Sequence, residues 1–100
     1  MFVLNITFKV TWPIYPTWLQ WLNSNLLIKL QTPQSAEIKI LRLLDVDDEE
    51  GPTVAIQLTT ETHNGLTLLQ EYWEQQGQQL VQQVWGTECI FFATKMQVVQ

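Results

Sequence analysis

Two apolar runs flank a short acidic turn across residues 41–60, LRLLDVDDEEGPTVAIQLTT, and this stretch limits the possible folds more than any other. The turn spans residues 45–52, and its acids, Gly51 and Pro52 suit a chain reversal. Two strand-like arms around such a turn predict a β-hairpin in the middle of the chain. The remaining elements must then be arranged before and after it.

Before the hairpin, Phe2, Leu4, Ile6, Phe8 and Val10 alternate with Val3, Asn5, Thr7, Lys9 and Thr11. Period-two alternation predicts a strand with one buried face. Pro13 and Pro16 come next, and proline at a first helical position costs no hydrogen bond. The first helix is expected over residues 16–30, with Trp18, Leu19, Leu22, Leu26 and Leu30 as its core stripe and Thr32-Pro33 as its stop. The hairpin strands are expected over 36–46 and 53–61. The polar stretch Thr62-His63-Asn64-Gly65 leads into a second helix over 64–85. Its apolar stripe reads Leu66, Leu69, Trp73, Leu80 and Val84, with Gly77 on the same side and Gly86 as the stop. A last strand is expected over 89–99. The order β-α-β-β-α-β, with right-handed crossovers, predicts an α+β, ferredoxin-like domain: a four-stranded antiparallel sheet with both helices on one face.

Such a sheet should expose a polar second face. The first strand complies with Asn5, Thr7 and Lys9, and the third complies in part with Gln57, Thr59 and Glu61. The second and fourth do not. Ile38, Ile40 and Leu44 oppose Leu41 and Leu43, and Ile90 and Phe92 oppose Phe91 and Ala93. Several uncovered large side chains on one face form an adhesive patch. A second copy of the chain would cover it, and Trp21, Ile28, Leu41, Leu43 and Phe91 are the expected homodimer contacts. Internal cover by strand twist and the chain ends is the alternative.

Composition narrows the function. One hundred residues form one domain, residues 1–100, with 46% hydrophobic and only 15% charged residues. Thirteen glutamines supply much of the solvated surface. Ten acids against five scattered bases give a net charge of −5, with no basic stripe for nucleic acid and no attraction to anionic membranes. The single cysteine, Cys89, excludes an internal disulfide and fits a reducing compartment. No apolar stretch approaches a membrane-spanning length, no signal peptide is evident, and cytoplasm is the expected location.

The hairpin and its surroundings carry a resemblance. Trp18-Leu19-x-Trp21-Leu22, Arg42-Leu43-Leu44-Asp45-Val46-Asp47, Glu49-Glu50-Gly51-Pro52-Thr53-x-Ala55-x-Gln57, Tyr72-x-Glu74 and Phe91-Phe92-Ala93-Thr94 resemble a family of small bacterial proteins known as domain of unknown function 4286. The resemblance covers nearly the whole chain and is most specific at the acidic turn with its Gly-Pro-Thr. It implies a dimeric, ferredoxin-like α/β-barrel arrangement with sheets face to face, and it leaves function open because the family has no established activity. The chain departs from the family pattern in two places. Asn23 to Ile28 and Thr32-Pro33 stand where members tend to carry a His and a Thr-Gly turn, and Gln76 stands where a second His is frequent.

Individual residues point to no chemistry. Asp45, Asp47, Glu49 and Gly51 suggest a calcium loop, but an EF-hand counted from Asp45 needs glycine where Glu50 stands and glutamate where Ile56 stands. His63 is the only histidine, too few for a typical zinc site, and reads as an exposed turn residue. Cys89 has acidic and apolar neighbours and reads as a small apolar residue. No cofactor motif or metal-spaced cluster is present, so no catalytic, cofactor or metal residues are assigned. An RNA-binding sheet would need aromatics on its central strands, and Val3, Asn5, Thr7 and Lys9 supply none. Two functions stay open. One is a non-enzymatic homodimeric assembly or scaffolding module. The other is binding or chemistry on an apolar or aromatic small molecule between helices and sheet, with Trp12, Tyr15, Trp18, Trp73 and Phe92 as lining, residues that packing alone also explains.

Overall fold

Alternation in the N-terminal residues places β1 (Phe2–Val10) at the centre of the sheet. The computed structural model describes residues 1–31 and 37–100. In it β1 pairs antiparallel with β3 (Thr53–Thr60) on one side and β4 (Cys89–Gln97) on the other. The edge strand β2 (Glu37–Arg42) pairs antiparallel with β3, giving the order β2-β3-β1-β4. Leu4, Ile6, Phe8 and Val10 project from one face of β1 and are at most 1% exposed. Leu58, Ile56 and Val54 on β3, the partners of Leu4, Ile6 and Phe8, share that face and that burial. Each such side chain contributes about 1.5–3 kcal/mol when removed from water.

Two helices supply the cover. The first opens as Tyr15–Trp21, passes through a π-helical turn at Leu22–Leu26 and closes as Leu27–Leu30. The second opens as His63–Tyr72, passes through a π-helical turn at Trp73–Gly77 and closes as Gln78–Trp85. The Thr62 side chain caps its start by accepting a hydrogen bond from the Gly65 N–H at 3.0 Å.

The paired π turns have a sequence cause. The first helix buries Trp18, Leu22, Leu26 and Leu30, and the second buries Leu69, Trp73, Gly77 and Val81. Both sets repeat every four residues. An α-helix turns once every 3.6 residues, so a strict four-residue repeat drifts about 40° per step around the axis. A wider π turn in the middle restores the alignment. In the first helix, Asn23 Nδ2 donates to the Leu19 carbonyl at 2.9 Å and Ser24 Oγ donates to the Gln20 carbonyl at 2.7 Å, satisfying oxygens beside the wider turn. In the second helix the wider turn shifts the phase of the residues after Gly77. Val81 is therefore buried, Leu80 is half-buried, and Val84, expected in the core, is exposed.

Gly77 belongs to this packing. A Cβ there would stand 2.3 Å from Trp73 Cε3. The Trp73 ring is wedged edge-on against Phe8 and Phe91, at centroid distances of 6.0 and 5.2 Å. Gly77→Ala is therefore expected to destabilise by about 2 kcal/mol, despite the ~1 kcal/mol that alanine gains in helix propensity. Urea unfolding monitored by circular dichroism reads this directly.

The hairpin differs from expectation at one arm. β2 ends at Arg42, four residues before Val46; Leu43 still donates to the Thr53 carbonyl, and Asp45, with a positive φ of 58°, bars any strand from continuing to Val46. The predicted helix stop at Thr32-Pro33 and the predicted strand start at Ala36 lie outside the described residues. The acidic turn is held firmly to β1. The Val10 N–H donates to the Pro52 carbonyl at 3.2 Å and the Trp12 N–H to the Glu50 carbonyl at 3.0 Å. Lys9 Nζ donates to the Asp47 carbonyl, and Trp12 Nε1 donates to the Asp48 carbonyl at 2.8 Å. Arg42 pairs with Asp48 at 3.2 Å and lies over the Trp12 ring at 5.4 Å.

Candidate functional site: the uncovered face of the sheet

Strand register decides which side chains share the face that the helices leave bare. Residues opposite one another form rows across the sheet. One row reads Leu41, Ala55, Thr7, Phe92. The next reads Lys39, Gln57, Asn5, Thr94, and the last reads Glu37, Thr59, Val3, Met96. Toward the acidic turn, Thr53, Lys9 and Ile90 form a further row, which Leu43 joins by donating its N–H to the Thr53 carbonyl at 2.9 Å. The apolar bulk therefore lies along the two edges and the small or polar groups along the middle.

The edges are bare. Ile90 and Phe92 are each 62% exposed, Leu41 is 41%, Met96 is 38% and Leu43 is 37%. The middle is internally paired. Gln57 Nε2 donates to Asn5 Oδ1 at 3.3 Å, and Asn5 Nδ2 donates to Thr7 Oγ1 at 3.0 Å. Thr7 and Ala55 are already nearly buried between their taller neighbours. A polar strip whose groups satisfy one another tolerates removal from water at little cost.

The expected interface residues do not share one surface. Leu41 and Leu43 lie on the bare face. Phe91 does not: its register partner is Phe8, and it packs under the helices against Trp73. Its neighbour Phe92 takes the outward position. Trp21 sits edge-on to Trp85 at 5.8 Å, between the start of one helix and the end of the other, and Ile28 is 61% exposed on the first helix, away from the sheet.

The expected ligand-lining residues do not converge either. Trp12 meets Tyr15 at 6.0 Å, Tyr15 stacks on Trp18 at 6.3 Å, and Trp18 reaches Phe8 at 5.4 Å, which in turn touches Trp73. These rings pack on one another within the helix-covered side, and Trp18 and Trp73 are wholly buried. Phe92 stands on the opposite face of the sheet. A groove of about 300 Å³ does open between the helices beside the π turns, lined by Leu26, Lys29, Tyr72, Gln76, Gly77 and Leu80 among others, and none of the five expected residues borders it. Trp12 serves as a clasp for the acidic turn, which sequence alone does not reveal because its carbonyl partner is 36 residues away.

Titratable groups add little chemistry. Among the described residues no group of three or more His, Cys, Asp or Glu side chains could hold a metal ion. His63 is exposed and meets Phe2 edge-on at 5.5 Å. Burial pushes the Cys89 thiol up to about 12, with the neighbouring Trp18 indole acting weakly the other way. The native thiol is therefore expected to resist a disulfide reagent at pH 8 and to react fully once urea unfolds the chain. The same burial makes stability pH-dependent in a defined window. The unfolded thiol ionises near 9.0 and the folded one near 12, so its contribution is complete below pH 9 and is lost as pH rises toward 12. A Cys89→Ala variant should show a shallower loss of stability over that interval.

Comparison with known proteins places this geometry. The family described as Domain of unknown function (DUF4286) matches residues 1–99. No curated protein matches. Among solved structures, a dimeric ferredoxin-like protein from an uncultured marine organism superposes with a TM-score of 0.69 at 11% identity, over 99% of this chain and 95% of its own. A second dimeric ferredoxin-like protein, also from an uncultured marine organism, gives 0.69 at 13% identity, over 100% and 96%. SnoaB, a cofactor-independent oxygenase from Streptomyces nogalater, gives 0.65 at 13% identity, over 99% and 94%. At these identities the likeness establishes the ferredoxin-like fold. No helix among the described residues is long and apolar enough to cross a membrane.

Proposed function

The chain belongs to the DUF4286 family, and from that premise we propose that it is a non-enzymatic assembly module whose bare sheet face docks on a second copy of itself. The carrying observation is the concentration of Ile90, Phe92, Leu41, Leu43 and Met96 on one face, with no layer above it among the described residues. Leaving each of these in water forgoes part of the roughly 1.5–3 kcal/mol that burial yields. The hydrogen bonds among Asn5, Thr7 and Gln57 lower the cost of covering these three groups at the middle of the face. Two solved structures with this fold are described as dimeric, which supports the same reading. A twofold pair is the usual solution for a self-complementary patch. The unpaired Cys89 suits a reducing cytoplasm.

The small-molecule reading lacks a comparable feature, since its five residues are split between a packed core and the opposite face. Size-exclusion chromatography with light scattering tests the assembly. At tens of micromolar the expected mass is twice 11.7 kDa. A monomer at that concentration overturns the proposal.

A further inference from the structure

Resting on that self-association, we infer that the twofold axis of the pair runs along the strands, so that β2 of each copy lies over β4 of the other. The two ends of the bare face are chemically unequal. At the end near the acidic turn both edges are apolar, with Leu41 and Leu43 on β2 and its extension and Ile90 and Phe92 on β4. At the other end, β2 carries Glu37 and Lys39, an ion pair at 3.8 Å, and β4 carries Thr94 and Met96.

Two sheets packed face to face about a twofold have their axis in the plane between them. For aligned packing, in which the strands of the two sheets stay within about 30° of one another, this leaves two choices. An axis across the strands exchanges the ends and keeps the edges. It would set Leu41 and Leu43 over the partner's Lys39 and Glu37, burying an ion pair under leucine, and Ile90 and Phe92 over the partner's Met96 and Thr94. Covering charges with apolar groups costs desolvation without return. An axis along the strands exchanges the edges and keeps the ends. It sets Leu41 and Leu43 over the partner's Phe92 and Ile90, twice by symmetry, and Lys39 and Glu37 over the partner's Thr94 and Met96, so that the pair is covered here too but the lysine meets a hydroxyl instead of a leucine. The short residues Thr7 and Ala55 then lie together at the centre. With the two faces fully overlapped, only this choice pairs apolar groups with apolar groups at four positions.

Isotope-filtered nuclear Overhauser spectroscopy on a dimer of one labelled and one unlabelled wild-type copy reads the arrangement. Contacts from the Leu41 and Leu43 methyls to the partner's Phe92 ring and Ile90 methyls are the expected result. Contacts joining β2 to β2, or β4 to β4, overturn the axis while leaving the association intact, as does a dimer without any intermolecular contact from these residues. A wild-type monomer in light scattering overturns the association itself. A charge exchange gives an independent reading. Leu41→Lys and Phe92→Glu should each weaken the dimer by at least ~100-fold. With the axis along the strands, the double variant sets each introduced ammonium against an introduced carboxylate, and it should recover at least ~10-fold over either single change. With the axis across the strands the introduced lysine faces the partner's Lys39 and the introduced glutamate the partner's Thr94, so the double variant should show no recovery over either single change.

Discussion

Replacing Phe92 with aspartate is expected to turn a dimer into a stable, folded monomer. The ring is 62% exposed within one subunit, so its loss takes nothing from the subunit's own core. Symmetry removes two rings from the interface, each with about three-fifths of its surface left to bury, forgoing about 2–4 kcal/mol, and each carboxylate adds a desolvation cost of its own. The dissociation constant should rise by at least ~100-fold, since each 1.4 kcal/mol is tenfold. Light scattering should report the monomer mass while circular dichroism stays unchanged. The same substitution one residue earlier should behave in the opposite way. Phe91 packs on Phe8 and Trp73, so Phe91→Asp buries a charge among aromatic rings and should unfold the subunit. A Phe92→Asp protein that remains dimeric would remove the bare face from the interface.

Gly51→Ala should cost the subunit more stability than the same change at its other glycines. A Cβ at that position would lie 1.6 Å from the Val10 carbonyl oxygen and 2.7 Å from the Val10 carbonyl carbon. Both are backbone atoms of a central strand, so no side-chain rotation relieves the overlap. The turn must instead move away from β1. That breaks the hydrogen bonds from Val10 to Pro52 and from Trp12 to Glu50, and it loosens the Lys9 and Trp12 contacts to the carbonyls of Asp47 and Asp48. With each hydrogen bond worth about 1 kcal/mol and backbone strain added, the loss should reach about 3–5 kcal/mol. For a domain of this size that lowers the melting temperature by at least ~12 °C. Differential scanning calorimetry is the direct measurement. A change of only a few degrees would mean that the turn is not fastened to β1 as described.

Much of the fold was legible because the patterns that encode it are local. Alternation from Phe2 to Val10 marked the central strand and its buried face. Proline and glycine positions marked the chain reversals, and the excess of apolar residues on the outer strands pointed to the bare face. The features that sequence could not resolve have physical causes. Phe91 and Phe92 are adjacent aromatics on an edge strand with apolar groups on both sides, so neither identity nor alternation tells which points inward. Only the pairing of Phe91 with Phe8 decides it. Val84 was misplaced because the expected stripe assumed regular winding through Gly77. A signal was present in the four-residue recurrence of Leu69, Trp73, Gly77 and Val81, which matches that of Trp18, Leu22, Leu26 and Leu30. Trp12 could not be assigned because the groups it fastens are distant in sequence. The ring chain from Trp12 to Trp73 suggested a pocket, whereas those rings fill their own space.

Each of the two coverings of the sheet thus contains one residue beyond what an evenly wound coil of the same reach would need. Removing a single residue between Leu22 and Leu26, or between Trp73 and Gly77, would shorten one four-step spacing to three, a pattern ordinary winding accommodates. The same excision one turn earlier or later would rotate half of the helix's inward side chains toward water. Tolerance to shortening should therefore concentrate at the midpoint of each coil, where most helices are least forgiving.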